Sequence, residues 1–504
     1  MRISQSFWMR MQTKLLSLSP YIYGINEYGN SDFADFTAIR QGGNRMTAYN
    51  WETNASNAGA DWYHSSDNNL SSSDEPADCV MRLSKTAAEN GISYKLATLQ
   101  LAGYVAADKK GEVREIETAP SKRWNEVKLV KGSEFDKTPD LEDGVVYMDE
   151  YVNYIIKKLG DSTSKKGIQG YSLDNEPALW SGTHARVRPN PVGMQELTDM
   201  SAEIAYAVKQ LDPNAEIFGP SLYGFTAYDH LADDDNSDEW VTLKRENNYN
   251  WYIDFYLDSM KKASEEKGVR LLDVFDIHYY SEWARVGEED RVQSVRTLYE
   301  EGFYENSWIG QWCRDKLPLL PTVKESIDKY YPGTKLAITE YNFGGEDISG
   351  TIAQAEALGC YADMGVYFAT IWGGNPFQYA GIRLYTNYDG DGNSFGDKLI
   401  PASTEDIAKS AAYAALTEES STLTVMLTNK DKENNENALI KLSNATVQYN
   451  AAAVYAVFGE SSDIRLIDII EFEGSELSVT LPPYCAAMVV VSENAEDFPI
   501  VAQD

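Results

Sequence analysis

Short apolar strands alternate with amphipathic helices along most of the chain, and that order constrains the fold more than any other property of the sequence. The strand-like runs are 21–26, 37–40, 92–100, 167–173, 216–220, 272–280, 335–342 and 365–372. Between them, apolar residues at helical spacing mark 77–90, 147–159, 194–211, 251–267 and 321–330. Parallel neighbours need a crossover connection, which a helix supplies. About eight such units predict a closed barrel with its helices outside. From Ala402 the character changes, and runs such as 423–427, 453–457 and 487–491 are short, alternating and separated by turn residues. The expected fold is α/β: a TIM (β/α)8 barrel over 21–400 with a C-terminal antiparallel β-sandwich domain made of 401–504 and the leader 1–20.

The 504 residues carry 44 Lys and Arg against 78 Asp and Glu, a formal net charge of −34. That charge argues against nucleic acid and anionic membranes as partners and suits a soluble protein acting on a neutral ligand; a monomer is expected. No apolar run approaches the roughly 18 residues of a membrane span. The start, Met1-Arg2-Ile3-Ser4-Gln5-Ser6-Phe7-Trp8, has neither a long apolar segment nor a small-residue cleavage site, so an intact signal peptide is not expected. Four scattered cysteines (Cys79, Cys313, Cys360, Cys485) lack the spacing of a zinc or redox site and read as small buried hydrophobes. The stretch 61–76 is polar and reads as a loop over a face of the domain, and 108–143 is charged and irregular and reads as a functional excursion or a mobile loop.

The run Gly167-Ile168-Gln169-Gly170-Tyr171-Ser172-Leu173-Asp174-Asn175-Glu176-Pro177 ends a strand in a carboxylate. The carboxyl ends of barrel strands are where catalytic groups sit. Leu336-Ala337-Ile338-Thr339-Glu340-Tyr341 does the same at the seventh strand. Either glutamate alone would read equally well as structural; two on strands that face each other across the mouth form a pair. Glycosidic cleavage needs a proton for the leaving oxygen and stabilisation of the anomeric cation, and two carboxyl groups in different environments do both. Glu176 is then the acid/base and Glu340 the nucleophile, with Asn175 placed for the sugar 2-hydroxyl.

Tyr280 and Arg40 are placed to keep Glu340 ionised, and His278 to contact the pair or the sugar; a satisfied core histidine is the competing reading. Asn44, in the glycine turn after Arg40, adds a polar group. Trp372 at the end of the eighth strand reads as a floor beneath the sugar, Trp308 and Trp312 as a stacking platform one helical turn apart, and Trp62 as a further stacking ring. Asp389-Gly390-Asp391-Gly392-Asn393 imitates the start of a calcium loop but lacks the closing glutamate, and reads as a turn. The Asp and Glu residues of 108–149 are candidates for holding a structural cation, with no spacing specific enough to name one, and no metal is needed for the chemistry above.

The run from Arg40-Gln41-Gly42-Gly43-Asn44-Arg45 through Tyr49-Asn50-Trp51-Glu52-Thr53-Asn54-Ala55-Ser56-Asn57-Ala58-Gly59 resembles glycoside hydrolase family 44. Leu173-Asp174-Asn175-Glu176-Pro177-Ala178-Leu179-Trp180 and Ala337-Ile338-Thr339-Glu340-Tyr341-Asn342 are similar to its two catalytic motifs. Tyr385-Thr386-Asn387-Tyr388-Asp389-Gly390 is similar to its passage from barrel to sandwich. The resemblance implies a retaining, endo-acting β-1,4-glucanase on soluble cellulose derivatives, mixed-linkage glucan and xyloglucan. It also implies Glu176 as acid/base, Glu340 as nucleophile, a structural calcium in some members, and secretion, from which the leader departs. Two alternatives stay open: an arabinofuranosidase-like exo-glycosidase, and a catalytically inactive glucan-binding protein.

Overall fold

The computed structural model describes residues 3–10, 16–30, 32–231, 238–417, 422–443, 445 and 447–499. Eight parallel strands close into a barrel: β1 (Gly24–Asn26), β2 (Ala38–Arg40), β3 (Tyr94–Leu99), β4 (Gly170–Leu173), β5 (Glu216–Leu222), β6 (Val274–Tyr279), β7 (Lys335–Tyr341) and β8 (Phe368–Ile371). Each strand pairs with its neighbours in the chain, and β8 closes on β1. Helix α1 (Asp78–Glu89) leads to β3, α2 (Met148–Leu159) to β4, α3 (Met194–Leu211) to β5 and α4 (Tyr252–Lys267) to β6. Helices α5 (Trp308–Trp312) and α6 (Leu319–Tyr330) precede β7, α7 (Ile348–Asp363) precedes β8, and α8 (Pro376–Thr386) follows it.

The alternation of side chains along a strand explains why one end of the barrel is chemically active. Ala38, Tyr94, Leu96, Phe218, Val274, Ala337 and Phe368 pack together at the amino end, with Tyr21 and Tyr367 against them. Two residues further along the same faces come Arg40, Thr98, Asp276, Thr339 and Thr370, all buried. These groups bond to one another and to the barrel backbone. Asp276 accepts from Ser221 Oγ at 2.6 Å and Thr339 Oγ1 at 2.8 Å, and Asn26 donates to the Thr339 carbonyl at 2.9 Å. An apolar plug below and a hydrogen-bonded polar layer above leave the next residues at the carboxyl end free to form a site.

One irregularity aims a key side chain. β6 and β7 pair Ile277 with Ile338 and then His278 with Glu340, so Thr339 is an extra residue on β7. Strict alternation from the inward Ala337 would turn Glu340 away from the barrel axis. The bulge instead puts both Thr339 and Glu340 on the inner face, a common use of bulges beside active sites.

The charged excursion differs from the irregular loop expected. Tyr104–Ala106, Trp124–Lys128 and Val145–Tyr147 form one three-stranded sheet, and Ser56–Asn57, Ser65–Asp67 and Gly111–Glu112 another. The sandwich has a seven-stranded sheet in the order Leu16–Ser17, Lys398–Ile400, Ala412–Leu416, Leu423–Asn429, Cys485–Ser492, Ala451–Phe458, Arg465–Glu471. The facing sheet runs Ala402–Thr404, Ile3–Arg10, Glu436–Ser443, Glu476–Leu481. Lys398–Ile400 thus already belongs to a sandwich sheet, earlier than the division after residue 400. The strands pair antiparallel apart from Ile3–Arg10, which runs parallel to Glu436–Ser443. The four cysteines are free thiols, three buried and Cys313 half-buried.

Candidate active site

At the carboxyl end of β4 the backbone folds tightly: Asp174 and Glu176 both take left-handed conformations, with φ of 65° and 45°. Non-glycine residues rarely adopt these values without support from their surroundings. Here Asp174 supplies it. Its carboxylate accepts from Leu101 N at 2.6 Å, Asn175 N at 2.7 Å and Thr47 Oγ1 at 2.6 Å, while Glu176 N donates to the Ser221 carbonyl at 3.2 Å. Trp180 Nε1 donates to the Asn175 carbonyl at 3.0 Å and closes the turn from the outer side.

Arg40 stands at the centre of the constellation and is fully buried. Its guanidinium reaches Glu340 Oε1 at 2.8 Å, Asn26 Oδ1 at 2.9 Å and Asn175 Oδ1 at 2.7 Å. Tyr280 donates its hydroxyl to the other Glu340 oxygen at 2.8 Å. His278 Nδ1 lies 2.9 Å from Glu176 Oε1 and 3.6 Å from Glu340 Oε2. One oxygen of Glu176, one of Glu340 and a His278 ring nitrogen all lie within 4.8 Å of one another.

The electrostatics separate the two glutamates. Burial works to raise the Glu340 carboxyl, but the charges of His278 and Arg40 and hydrogen bonds from Arg40 and Tyr280 overcome it and hold the group below the usual carboxylate range. Burial works to lower His278, yet the Glu340 charge and the bond to Glu176 leave the imidazole above its ordinary value. Burial and the Glu340 carboxylate push the Tyr280 hydroxyl well up, so it remains an O–H donor. Glu176 makes no ion pair with an arginine or lysine among the described residues; its carboxylate lies beside His278.

The glycine turn after β2 has a steric reason. A Cβ on Gly42 would run into the Arg40 guanidinium, and one on Gly43, at φ 86°, into the ring of Trp372. Those two residues let an arginine and an indole lie flat against the backbone. Trp372 is half-buried beyond β8, held by Asn342 on its carbonyl at 2.8 Å, and Tyr28 stacks beside it at 6.0 Å and 26°. Asn44 bridges outward: its Oδ1 is 3.5 Å from Asn175 Nδ2, and its Nδ2 donates to Asp61 at 3.1 Å.

The expected aromatic residues divide. Trp308 packs edge-on against Phe225 and lines a cavity of about 220 Å³ together with Glu176, Tyr223, Tyr280 and Arg285. Trp312, one turn on in α5, does not line that cavity and is 76% exposed, so the two do not make a joint platform. Trp62 is 62% exposed, beside Tyr63 and next to the Asp61 that Asn44 holds. Several residues of the site went unremarked in the sequence. Asn26 and Asp174 carry the signal that marked Arg40 and Glu176, a polar group at a strand's carboxyl end. Tyr28 and Tyr223 lie in loops and Arg285 in a short 3-10 turn, and they carry no such signal.

Where 389–393 imitates a calcium loop, the residues bond within their own turn. Asp389 turns inward, accepting from the backbone N–H of Asp391 at 3.0 Å and from Asn393 Nδ2 at 2.6 Å. In the excursion, Asp136 and Glu150 converge on the Lys131 ammonium at 2.6 and 2.8 Å. Among the described residues, the group that brings three metal-ligating atoms together is Glu176, His278 and Glu340.

Comparison with known proteins follows the same lines. The sequence profile of glycoside hydrolase family 44 matches residues 55–283. Endoglucanase A of Paenibacillus lautus is 42% identical over 519 aligned residues, covering 98% of this chain and 73% of that protein. The family 44 endoglucanase structure from Clostridium thermocellum superposes with a TM-score of 0.92 at 44% identity, over 97% of this chain and 100% of that one. A family 44 xyloglucanase from Paenibacillus polymyxa, solved with xyloglucan, gives 0.92 at 41% identity, over 97% and 99%.

Proposed function

The chain belongs to glycoside hydrolase family 44 and is a glycoside hydrolase; from that premise we propose that it is a retaining endo-β-1,4-glucanase. Its substrates are soluble cellulose derivatives, mixed-linkage glucan and xyloglucan. The observation that carries this reading is the separation of the two carboxylates, with one oxygen of each within 4.8 Å of the other. Inverting pairs stand roughly 6.5 to 9.5 Å apart to admit a water, and retaining pairs about 5 to 5.5 Å.

The roles follow from the environments. Glu340, kept ionised by Arg40, Tyr280 and His278, attacks the anomeric carbon from one face of the sugar. Glu176 gives its proton to the leaving oxygen on the other side, and the leaving chain departs over the cavity that Glu176 shares with Trp308, Tyr223 and Arg285. Water then takes the place of that chain. Glu176 removes its proton, the hydroxide attacks the anomeric carbon, and the bond to Glu340 breaks with net retention. Asn175 turns its Oδ1 to Arg40 and the Gly43 N–H, which leaves Nδ2, with only the 3.5 Å contact to Asn44, to bond the 2-hydroxyl. Trp372 underlies the sugar being cleaved, and Asn44 and Trp62 lie further along the glycone side. The site is complete within one chain, which supports action as a monomer. An extracellular polysaccharide as substrate supports secretion.

The test combines products with variants. Viscosity of carboxymethylcellulose should fall well before reducing sugar accumulates, and the first product seen by NMR should be the β-anomer. Glu340→Gln and Glu176→Ala should each lower kcat by about a thousandfold or more. Wild-type rates in both variants, or an α-anomer first, would overturn the assignment. Pentose release from an aryl arabinoside without viscosity loss would favour the exo-acting alternative, and glucan binding without any cleavage the inactive binder.

A further inference from the structure

A second cavity, about 600 Å³, lies beside the catalytic mouth on the far side of Gly42, with Glu27, Tyr28, Asn30, Gln41, Asn69 and Arg82 in its lining. We propose that this cavity is a subsite for an uncharged glycosyl branch of the glucan, one that hangs from the main chain and never crosses the catalytic axis. The proposal rests on the β-glucanase reading and names a structural feature of its substrate.

Strand alternation places the cavity to the side of the main chain's path. Asn26 and Arg40 face the barrel axis, where they bond to each other and reach Glu340. Glu27 and Gln41, the next residues, therefore face the opposite way, toward α1. A glucan backbone held between Glu176 and Glu340 runs over the axis, so only a substituent can enter a pocket on the outer side. Tyr28 joins the two spaces. Its ring stacks on Trp372 at the mouth, is 40% exposed, and its hydroxyl reaches Asn69 Oδ1 at 3.5 Å across the rim.

The chemistry of the walls selects a neutral polyol. Gln41 is 4% exposed; its side chain bonds Glu27, but its Oε1 has no hydrogen-bond partner among the described residues. A buried acceptor left without a donor is costly, and a sugar hydroxyl would satisfy it. Glu27 is pushed up to about 7 by burial, against the lowering effect of Arg82 and the bond from Gln41, so near neutral pH its carboxyl both donates and accepts. Arg82 is already paired with Asp78 at 3.1 Å. The pocket offers hydrogen bonds without an unpaired charge, and its volume falls in the range of small-molecule sites.

The experiment compares kcat/KM on a xylosyl-branched glucan with that on unbranched mixed-linkage glucan. Gln41→Leu and Glu27→Ala should each lower the value on the branched substrate about tenfold, as expected for losing a buried hydrogen bond, and change the unbranched value less than about twofold. If either variant folds poorly, calorimetric binding to the Glu176→Gln protein supplies the readout. A xylosylated cellotetraose should bind more tightly than cellotetraose, and the added Gln41→Leu change should erase the difference. Equal losses on both substrates, or no loss on either, would overturn the subsite. A wild type that cleaves unbranched glucan but gains nothing from branches would also overturn it while leaving the enzymatic reading intact. A wild type that cleaves no glucan at all would instead remove the reading on which the subsite rests.

Discussion

Asp174 is the residue that most repays attention beside the catalytic pair. It lies fully buried, and burial raises its carboxyl to about 6 despite bonds from the Leu101 N–H, Thr47, and the Asn175 and Ala102 N–H groups that favour the charged form. Those donors converge on two oxygens, and together they hold a turn in which two non-glycine residues keep positive φ. Asp174→Asn puts an amide NH2 against a backbone N–H, so one bond becomes a repulsion. The turn should loosen and carry Glu176 away from His278. A shift of about 1 Å at a catalytic group costs on the order of a hundredfold. The expected outcome is a kcat on soluble glucan lower by about that factor, with KM and the far-UV spectrum little changed; a kcat within threefold of wild type would refute the positioning role. At this scale the sequence was readable where a polar residue ended a strand, as with Glu176, Arg40 and His278. Glu340 carries the same signal, but its orientation was not legible, because alternation from Ala337 turns that side chain outward and only the bulge at Thr339 turns it in. A bulge depends on the neighbouring strand's register, which one strand's residues do not encode.

Helix α7 shows what periodicity cannot reveal at the scale of an element. Residues 348–362 are buried on every face, between the barrel and the seven-stranded sheet. A helix without a polar side has no apolar stripe to detect, so this stretch gave no helical signal. Its small residues serve packing: a Cβ on Gly359 would run into the Tyr413 ring of the sandwich. The same helix carries Glu356, which pairs with Lys430 of the sandwich at 2.7 Å, both side chains at 0% exposure, and accepts from Tyr299 at 2.8 Å. Removing one member of a buried pair typically costs about 3 to 5 kcal/mol, whereas apolar replacement of both is often close to neutral. Lys430→Met should therefore destabilise by roughly that amount in urea unfolding, and Lys430→Met with Glu356→Leu should recover most of the loss. A double variant as unstable as the single one would show that the helix needs the charge itself. Metal removal gives a second check at this scale. Lys131 already supplies the positive charge among Asp136 and Glu150, so EDTA should leave the melting temperature unchanged. The short strands of the excursion are not legible in the sequence, because runs of two to five residues, some of them charged, are too brief to show a period.

Taken as a whole, the molecule is poised to lose stability as pH rises. Its alternating strands and helices made the barrel legible, and the turn-punctuated C-terminal runs the sandwich. The pairing of Ile3–Arg10 with Glu436–Ser443 joins opposite ends of the chain and leaves no local trace. The net charge of −34 was also plain, but which carboxyls the fold buries was not. Burial raises Glu27 and Glu436 to about 7 and Glu52 to about 8, from 4.5 for an ordinary glutamate. Between about pH 4 and these raised values the native state binds more protons than the unfolded one. The stability gradient with pH is therefore negative there: the contribution is complete below the unfolded values and lost as pH climbs through 7 and 8. Groups held low, such as Glu340 and Asp431, act oppositely and lose their contribution only on strong acidification. The melting temperature should peak in mildly acidic buffer and fall steadily to pH 8.5, with proton uptake on folding measurable by calorimetry in buffers of different ionisation heat. Mutual repulsion among surface acids would produce a similar slope. Salt separates the causes, because about 0.5 M sodium chloride screens exposed charges to within a few ångströms but barely touches buried groups. A decline that persists in salt locates the effect in the buried carboxyls, and one that vanishes assigns it to the surface.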